Sequence, residues 1–298
     1  MSESPSQTPD WIGVDWGTSR LRVFAMRGAR CLDTRQSDQG MGKVAAEAFE
    51  PALLELIAPW LQAGQVMPVL ACGMVGARQG WREAPYRAVP CAPVAAGKAV
   101  QVPTRDPRIC VRILPGLRQS APSDVMRGEE TQIAGFLAQR PAFNGTILLP
   151  GTHCKHVQIE AGQVIGFTTH MTGELFALLA EKSVLRHSIA PHGTDPEAFA
   201  AGVAQGLAGG AFAALFALRA EALVADLTPT AARARLSGLL IGAELSQSEL
   251  QTCVIIGSGD IAQAYQAALA QRGVVAELCD GADLVREGLT AYRLGDQK

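Results

Sequence analysis

The chain has 298 residues, 48% of them apolar and 18% charged, with a formal net charge of -2 at neutral pH. This composition excludes an intrinsically disordered chain and suits a folded protein large enough for two hydrophobic cores. There is no basic block and no interleaving of basic and aromatic residues, so nucleic-acid binding has no support.

Two strands are predicted over residues 11–32, joined by the polar turn Gly17–Thr18–Ser19–Arg20 just after Asp15. Such a hairpin can set backbone N–H groups and hydroxyls around a phosphate while a carboxylate holds a metal ion. Leu53, Leu54, Ile57, Trp60 and Leu61 then share one face of a helix expected over 45–63. A strand over 65–72 runs into Gly73–Met74–Val75–Gly76. Glycines at the carboxyl end of a strand are a common ligand border in an α/β sheet. Short strands are expected at 99–102 and 108–114, within a segment rich in Pro and Arg. Helix resumes over 128–139, with Glu129 and Glu130 in a first turn where the helix dipole favours carboxylates.

The opening pattern then returns. A strand over 146–149 leads into Pro150–Gly151–Thr152–His153–Cys154–Lys155 and a strand over 156–159. This suggests a second copy of the first unit, its polar turn facing the first across a cleft. His153, Cys154 and His156 resemble a small metal cluster, but the alternation of a strand argues against one shared ion. Helices are expected over 173–185, 196–219 and 230–245. The apolar run 206–218 is too short to span a bilayer and reads as a buried helix. A strand over 253–256 ends in Gly257–Ser258–Gly259–Asp260, and a helix over 261–271, a strand over 274–278 and a helix over 284–292 complete the chain. Seven widely spaced cysteines without a Cys-x-x-Cys pair suggest free thiols in a reducing cytoplasm. The polar, proline-containing first ten residues carry no apolar signal core, which agrees with a cytoplasmic location.

Taken in order, the turns at Asp15–Thr18, Pro150–His153 and Gly257–Asp260 resemble those of the actin, hexokinase and Hsp70 superfamily of ATP-dependent phosphotransferases. Longer blocks resemble the 2-dehydro-3-deoxygalactonokinase family: residues 14–19 with Leu21 and Arg22, 72–81 with 83–86, 124–132 (Asp–Val–Met–Arg–Gly–Glu–Glu–Thr–Gln), 149–155, 169–176 and 256–259. The resemblance implies an α/β fold of two RNase H-like domains around a central cleft. Residues 11–125 would form the first and 126–298 the second, with the last helix packing back between them. It implies transfer of the ATP γ-phosphate to the 6-hydroxyl of 2-dehydro-3-deoxy-D-galactonate, with Mg²⁺ as cofactor. No membrane partner is expected, and the oligomeric state stays open.

The same resemblance distributes the roles. Pro150 stands where the superfamily commonly has an acidic residue, so metal holding falls on Asp15. Gly17, Thr18, Ser19, Gly151, Thr152, His153 and Lys155 would surround the phosphates, and Arg20 would neutralise the transferring group. Gly257, Ser258, Gly259 and Asp260 would abut the adenosine. Gly73, Met74, Arg78, Trp81, Arg82 and Arg127 would form the acceptor site, since a planar guanidinium suits the carboxylate of a sugar acid. Asp124 and Glu130 are the candidate general bases. Asp124 ranks first because its loop is freer to reach the reacting hydroxyl. A kinase of another sugar acid or sugar, and a non-catalytic ATP clasp, are the alternatives.

Overall fold

The computed structural model describes residues 8–248, 250 and 252–296. They divide into two units, one comprising the chain up to Phe143 with Glu160–Gly166 and the segment from Gly281, the other Asn144–Ile159 and Phe167–Asp280.

In the first unit the chain forms β1 (Trp11–Trp16), β2 (Leu21–Arg27), β3 (Arg30–Ser37), helix α1 (Phe49–Ile57), β4 (Met67–Gly73), β5 (Arg87–Ala88), β6 (Val100–Val102), β7 (Ile109–Ile113), β8 (Leu117–Ser120), β9 (Ser123–Met126) and helix α2 (Glu129–Gln139). The main sheet has the order β3-β2-β1-β4-β7-β6, with β1, β4 and β7 parallel. A small sheet, β5-β8-β9, stands beside it. The remaining elements are β10 (Gly145–Leu149), β11 (Cys154–Glu160), β12 (Gln163–His170), α3 (Thr172–Lys182), α4 (Pro196–Leu207), α5 (Ala211–Val224), α6 (Pro229–Leu245), β13 (Cys253–Ile256), α7 (Gly259–Gln271), β14 (Ala276–Cys279) and α8 (Gly281–Gly295). Their sheet has the order β12-β11-β10-β13-β14, with β10, β13 and β14 parallel. Each sheet therefore starts with three consecutive strands in reverse order and then adds two parallel ones. The repeat suggested by the two hairpins is a repeat of topology.

Strand β1 reads as an almost unbroken apolar run because both of its faces are covered. On one face Ile12, Val14 and Trp16 meet Phe49, Ala52, Leu53 and Ile57 of α1. On the other, Trp11 joins Val285, Leu289 and Tyr292 of α8. Helix α8 also lies along α2 at backbone contact. A Cβ on Gly135 would fall 2.0 Å from the Leu284 carbonyl oxygen, and one on Gly288 would fall 1.9 Å from that of Thr131. Asp296 anchors the end of this helix, accepting from Gly97 N at 2.8 Å and from Arg112 Nη1 at 2.7 Å.

These contacts move the expected boundary. Helix α2 buries Ile133 and Phe136 and belongs with the first unit, so that unit runs to Phe143 and not to residue 125. The final helix is likewise part of the first unit. The helix expected over 196–219 is two helices, because Gly209 takes φ +82° and ends the first. Phe212 and Phe216 are exposed, which corrects the reading of that apolar run as buried. Strands β3 and β12 escaped the sequence reading. Both lie at the edge of their sheet; β3 is largely polar, and β12 buries only Val164 and Phe167.

Gly288→Ala should lower stability by about 1–3 kcal/mol, since its methyl group needs space held by backbone. Thermal unfolding measures this, and an unchanged midpoint would contradict the close helix contact.

Candidate functional site

Asp15 sits near the carboxyl end of β1, side by side with Cys72 of the parallel strand β4. Across the hairpin it faces Arg22, which donates to Asp15 Oδ2 from Nε at 3.0 Å and also from Nη2. The Asp15 side chain is only 16% exposed. The following turn closes with Gly17 N donating to Arg20 O at 3.0 Å. Its carbonyls are fixed from outside, since Met41 N donates to Gly17 O and Gly42 N to Thr18 O, both at 2.9 Å. Thr18, Ser19 and Arg20 are exposed. Mg²⁺ keeps several waters and takes one or two carboxylates plus phosphate oxygens. Asp15, with one oxygen committed to Arg22, fits an ion carried in on a nucleotide better than a preformed cage.

Where β4 ends, the chain turns sharply. Gly73 has φ +91°, and a Cβ there would lie 2.7 Å from the Trp16 carbonyl oxygen. Gly128, at the start of α2, comes against the same point, its own Cβ position lying 3.4 Å from Gly73 Cα. This brings Glu130 under the ends of β1 and β4. Its carboxyl is fully buried, accepting from Gly128 N at 2.7 Å and from Thr131 Oγ1 at 3.0 Å. Burial, reinforced by neighbouring Glu129, lifts its pKa to about 7. The buried thiol of Cys72 is pushed up by desolvation and then by the charges of Asp15 and Glu130.

Asp124 stands elsewhere. It belongs to β9, paired with Gln119 of β8, and its Oδ1 accepts from Val125 N at 2.7 Å. The expected free loop is therefore a strand. Among the three arginines, Arg78 is 83% exposed with Glu83 at 3.9 Å, and Arg82 is exposed. Arg127 differs from both. It is buried, donates from Nη2 to Ala84 O at 2.8 Å, and lies over the Tyr86 ring at 4.2 Å. Among the described residues its Nε and Nη1 have no hydrogen-bond partner. A buried cation with unmet donors calls for an anion. Met74 is half-buried in a short turn, Met74–Gly76. Trp81 is also half-buried, stacked on Phe49 at 6.3 Å and edge-on to Trp16 at 6.1 Å, so it serves chiefly as an aromatic wall.

In the second unit, Gly151 and Thr152 line a cavity of about 710 Å³ together with Thr172, Gly173, Ser237 and Tyr265. The close approach requires Gly173, where a Cβ would lie 2.3 Å from Gly151 O. The third glycine turn adjoins the second, a Cβ on Gly257 falling 3.7 Å from Pro150 Cδ. Of that turn, Asp260 lines the cavity. Ser258 precedes α7, and Gly259 opens it with φ +67°. The other hairpin side chains diverge. His153 is exposed and meets Glu174 at 2.6 Å, whereas Lys155 is buried and donates to Thr169 Oγ1 at 2.8 Å.

Cys154 and His156 point to the opposite face from Lys155, as alternation requires, and approach Glu244 of α6. Candidate ligand atoms of the three lie within 4.8 Å of one another. Hydrogen bonds already engage them: His156 Nε2 meets Glu244 Oε1 at 2.6 Å, and His156 Nδ1 meets Ser248 Oγ at 2.8 Å. Glu244 Oε2 accepts from Tyr265 Oη at 2.5 Å and from Thr172 Oγ1.

The family model for 2-keto-3-deoxy-galactonokinase matches residues 15–292. The chain belongs to that family. A Rhizobium meliloti protein named "Probable 2-dehydro-3-deoxygalactonokinase" is 38% identical over 94% of this chain and 95% of its own. The Escherichia coli 2-dehydro-3-deoxygalactonokinase is 34% identical, covering 97% and 96% of the two chains. A crystal structure of a protein of the same type from Sinorhizobium meliloti superposes with a TM-score of 0.87 at 37% identity, over 95% of each chain.

In this member of the 2-keto-3-deoxy-galactonokinase family, two functional features escaped the sequence reading. The Arg22 partnership was recoverable, because the hairpin register sets Arg22 opposite Asp15. The link from Cys154 and His156 to Glu244 was not, since 88 residues separate His156 from its carboxylate.

Glu130 has a folded-state pKa near 7 against an ordinary 4.5. Between those values the unfolded chain is ionised while the folded one retains its proton, so stability falls as pH rises through this window. The loss is about 3 kcal/mol from this group. Glu130→Gln should remove it, gaining stability relative to the parent between pH values of about 5 and 8. Melting curves across that range test this, and a constant difference between the two proteins would contradict a raised pKa.

Proposed function

We propose that the chain phosphorylates the 6-hydroxyl of 2-dehydro-3-deoxy-D-galactonate with ATP and Mg²⁺, and that Glu130 is the general base. The chain is a kinase of its family, and the two relatives just described carry the name of that activity. The observation that carries the base assignment is the buried Glu130 carboxyl, brought to about 7 beside the Asp15-bearing strand. A base with a pKa near the working pH is ionised often enough to act and basic enough to accept a proton.

In this reading the acceptor oxygen attacks the γ-phosphorus, the bond to the β-phosphate oxygen breaks, and the hydroxyl proton passes to Glu130. Gly128, held at φ +108°, begins the turn into α2 and donates its N–H to the Glu130 carboxyl. Asp15 would hold Mg²⁺, which supplies positive charge to the phosphate oxygens; Arg22 keeps that carboxylate oriented. Gly17, Thr18 and Ser19 serve the phosphates, with Arg20 beside them. Arg127, whose buried donors lack an anion, is assigned to the acceptor carboxylate ahead of Arg78 and Arg82. Gly73, Met74 and Trp81 shape the wall around it.

The nucleotide is assigned to the cavity of the second unit. Its volume suits a nucleoside, and it brings the Gly151–Thr152 turn and Asp260 to one space. His153 is placed near the phosphates, and Lys155 supports the hairpin from beneath. The RNase H-like description of both units is part of the same proposal and draws on their shared strand order. Retention in a cytoplasmic compartment also belongs to it; among the described residues no helix is long and apolar enough to cross a membrane.

A coupled ADP-release assay over a panel of sugar acids tests the substrate, with turnover expected on the 3-deoxy-2-keto acid of galacto configuration. Glu130→Gln should lower kcat by about 10²–10⁴-fold and abolish the acidic limb of the pH–rate profile. Asp124→Asn should retain the limb and most of the activity. Loss confined to Asp124→Asn would transfer the role to that residue, and ATP binding without acceptor-dependent turnover would support the clasp.

A further inference from the structure

We infer that Glu244 and His156, neither of which lines the cavity of the second unit, are positioning residues that set its walls for the nucleotide. This rests on the assignment of that cavity to ATP. Thr172 of α3 and Tyr265 of α7 line the cavity, yet both turn their hydroxyls toward one carboxylate behind it. That carboxylate, Glu244, stands on α6 one turn beyond the lining residue Ile241. Its other oxygen meets His156 of β11, the strand that leaves the Gly151–Thr152 turn. His156 is held in turn by Ser248, after α6. One buried side chain thus fastens to α6 two other elements that line the cavity, α3 and α7, together with the strand that leaves its Gly151–Thr152 turn.

The arrangement is more than a filler of space. Glu244 is 4% exposed and His156 3%, so the pair is withdrawn from water. Well-packed apolar groups hold a core at least as well as a buried ion pair, whereas a polar cluster fixes orientation. Two hydrogen bonds to Glu244 hold α3 and α7 at set distances from α6, and two more tie His156 of β11 to Glu244 and to Ser248. The consequence reaches the turn directly. Gly173, beside Thr172, touches the Gly151 carbonyl, and Glu174 N donates to Thr152 O at 3.0 Å. A shift of Thr172 would therefore move the backbone of the phosphate turn. The hydrogen bonds engaging His156 and Glu244 explain the cluster without an ion, although Cys154 adds a third potential ligand.

The test uses the whole chain and follows ATP affinity by calorimetry beside KM for ATP and for the sugar acid. Tyr265→Phe keeps the ring in the wall and deletes one hydroxyl; it should weaken ATP binding by about 2–10-fold. Glu244→Ala should weaken it further, and Glu244→Gln, which can keep the hydrogen-bonded shape as a neutral group, should restore most of the loss. KM for the sugar acid should stay near the parent value in all three. Should Glu244→Ala not fold, Tyr265→Phe and Thr172→Val carry the test. Ala264→Trp, which fills the cavity, separates the two layers of the argument. If it abolishes ATP binding while the network variants bind ATP normally, the positioning role is overturned and the cavity assignment stands. If it leaves ATP binding intact, the cavity is not the nucleotide site and both fall. Equal increases in KM for both substrates would also overturn the positioning role.

Discussion

A carboxyl group kept out of water at the start of α2 is the constraint on which the proposed chemistry of the first unit depends. Water would hold Glu130 ionised at its ordinary pKa; burial takes that solvation away and leaves two hydrogen bonds in its place. The cost is offset by the unit as a whole. Helix α2 reaches this position only because Gly135 and Gly288 let it lie against α8, and α8 in turn covers one face of β1. The helix contact, the sheet and the Glu130 carboxyl are therefore one mechanical arrangement. Loss of the glycine contact would be felt at the carboxyl.

The same kind of compromise appears in the second unit with a different outcome. Glu244 is as buried as Glu130, but His156, Thr172 and Tyr265 surround it with donors, and their hydrogen bonds hold its pKa below the ordinary value. One buried glutamate is poised to exchange a proton near neutral pH, and the other is locked as an anion. The difference lies in their partners. The few donors around Glu130 do not replace water, whereas an imidazole and two hydroxyls do so for Glu244.

Much of this was legible in the chain. The repeated strand–turn–strand signal located both sheets, since apolar runs ending in Gly–Thr turns mark buried strands at a ligand edge. Asp15, Gly73 and Glu130 stand out as candidates in the sequence because each sits at an element end, where local chemistry is informative. The edge strands β3 and β12 were missed because their apolar signal is weak: β3 buries no residue, and β12 buries only Val164 and Phe167 among polar neighbours. The preference for Asp124 over Glu130 failed to account for local structure: a polar Ser–Asp pair read as a loop is half of a hairpin. Burial is the variable that favours Glu130 for the proposed role, and it follows from which segments fold over it. Neither its neighbours in sequence nor its position in a helix reports that. Glu244 was illegible for the same reason, all of its side-chain partners being at least 21 residues away.

The most direct measurement is the titration of Glu130 itself. Carboxyl ¹³C shifts of glutamate-labelled protein, with the Glu130 signal assigned by its absence in Glu130→Gln, give the midpoint without reference to activity. The account requires a midpoint near 7, well separated from the exposed glutamates. A midpoint at the ordinary 4.5 would contradict it, because a carboxyl that titrates there is neither desolvated nor tuned to take a proton from a sugar hydroxyl.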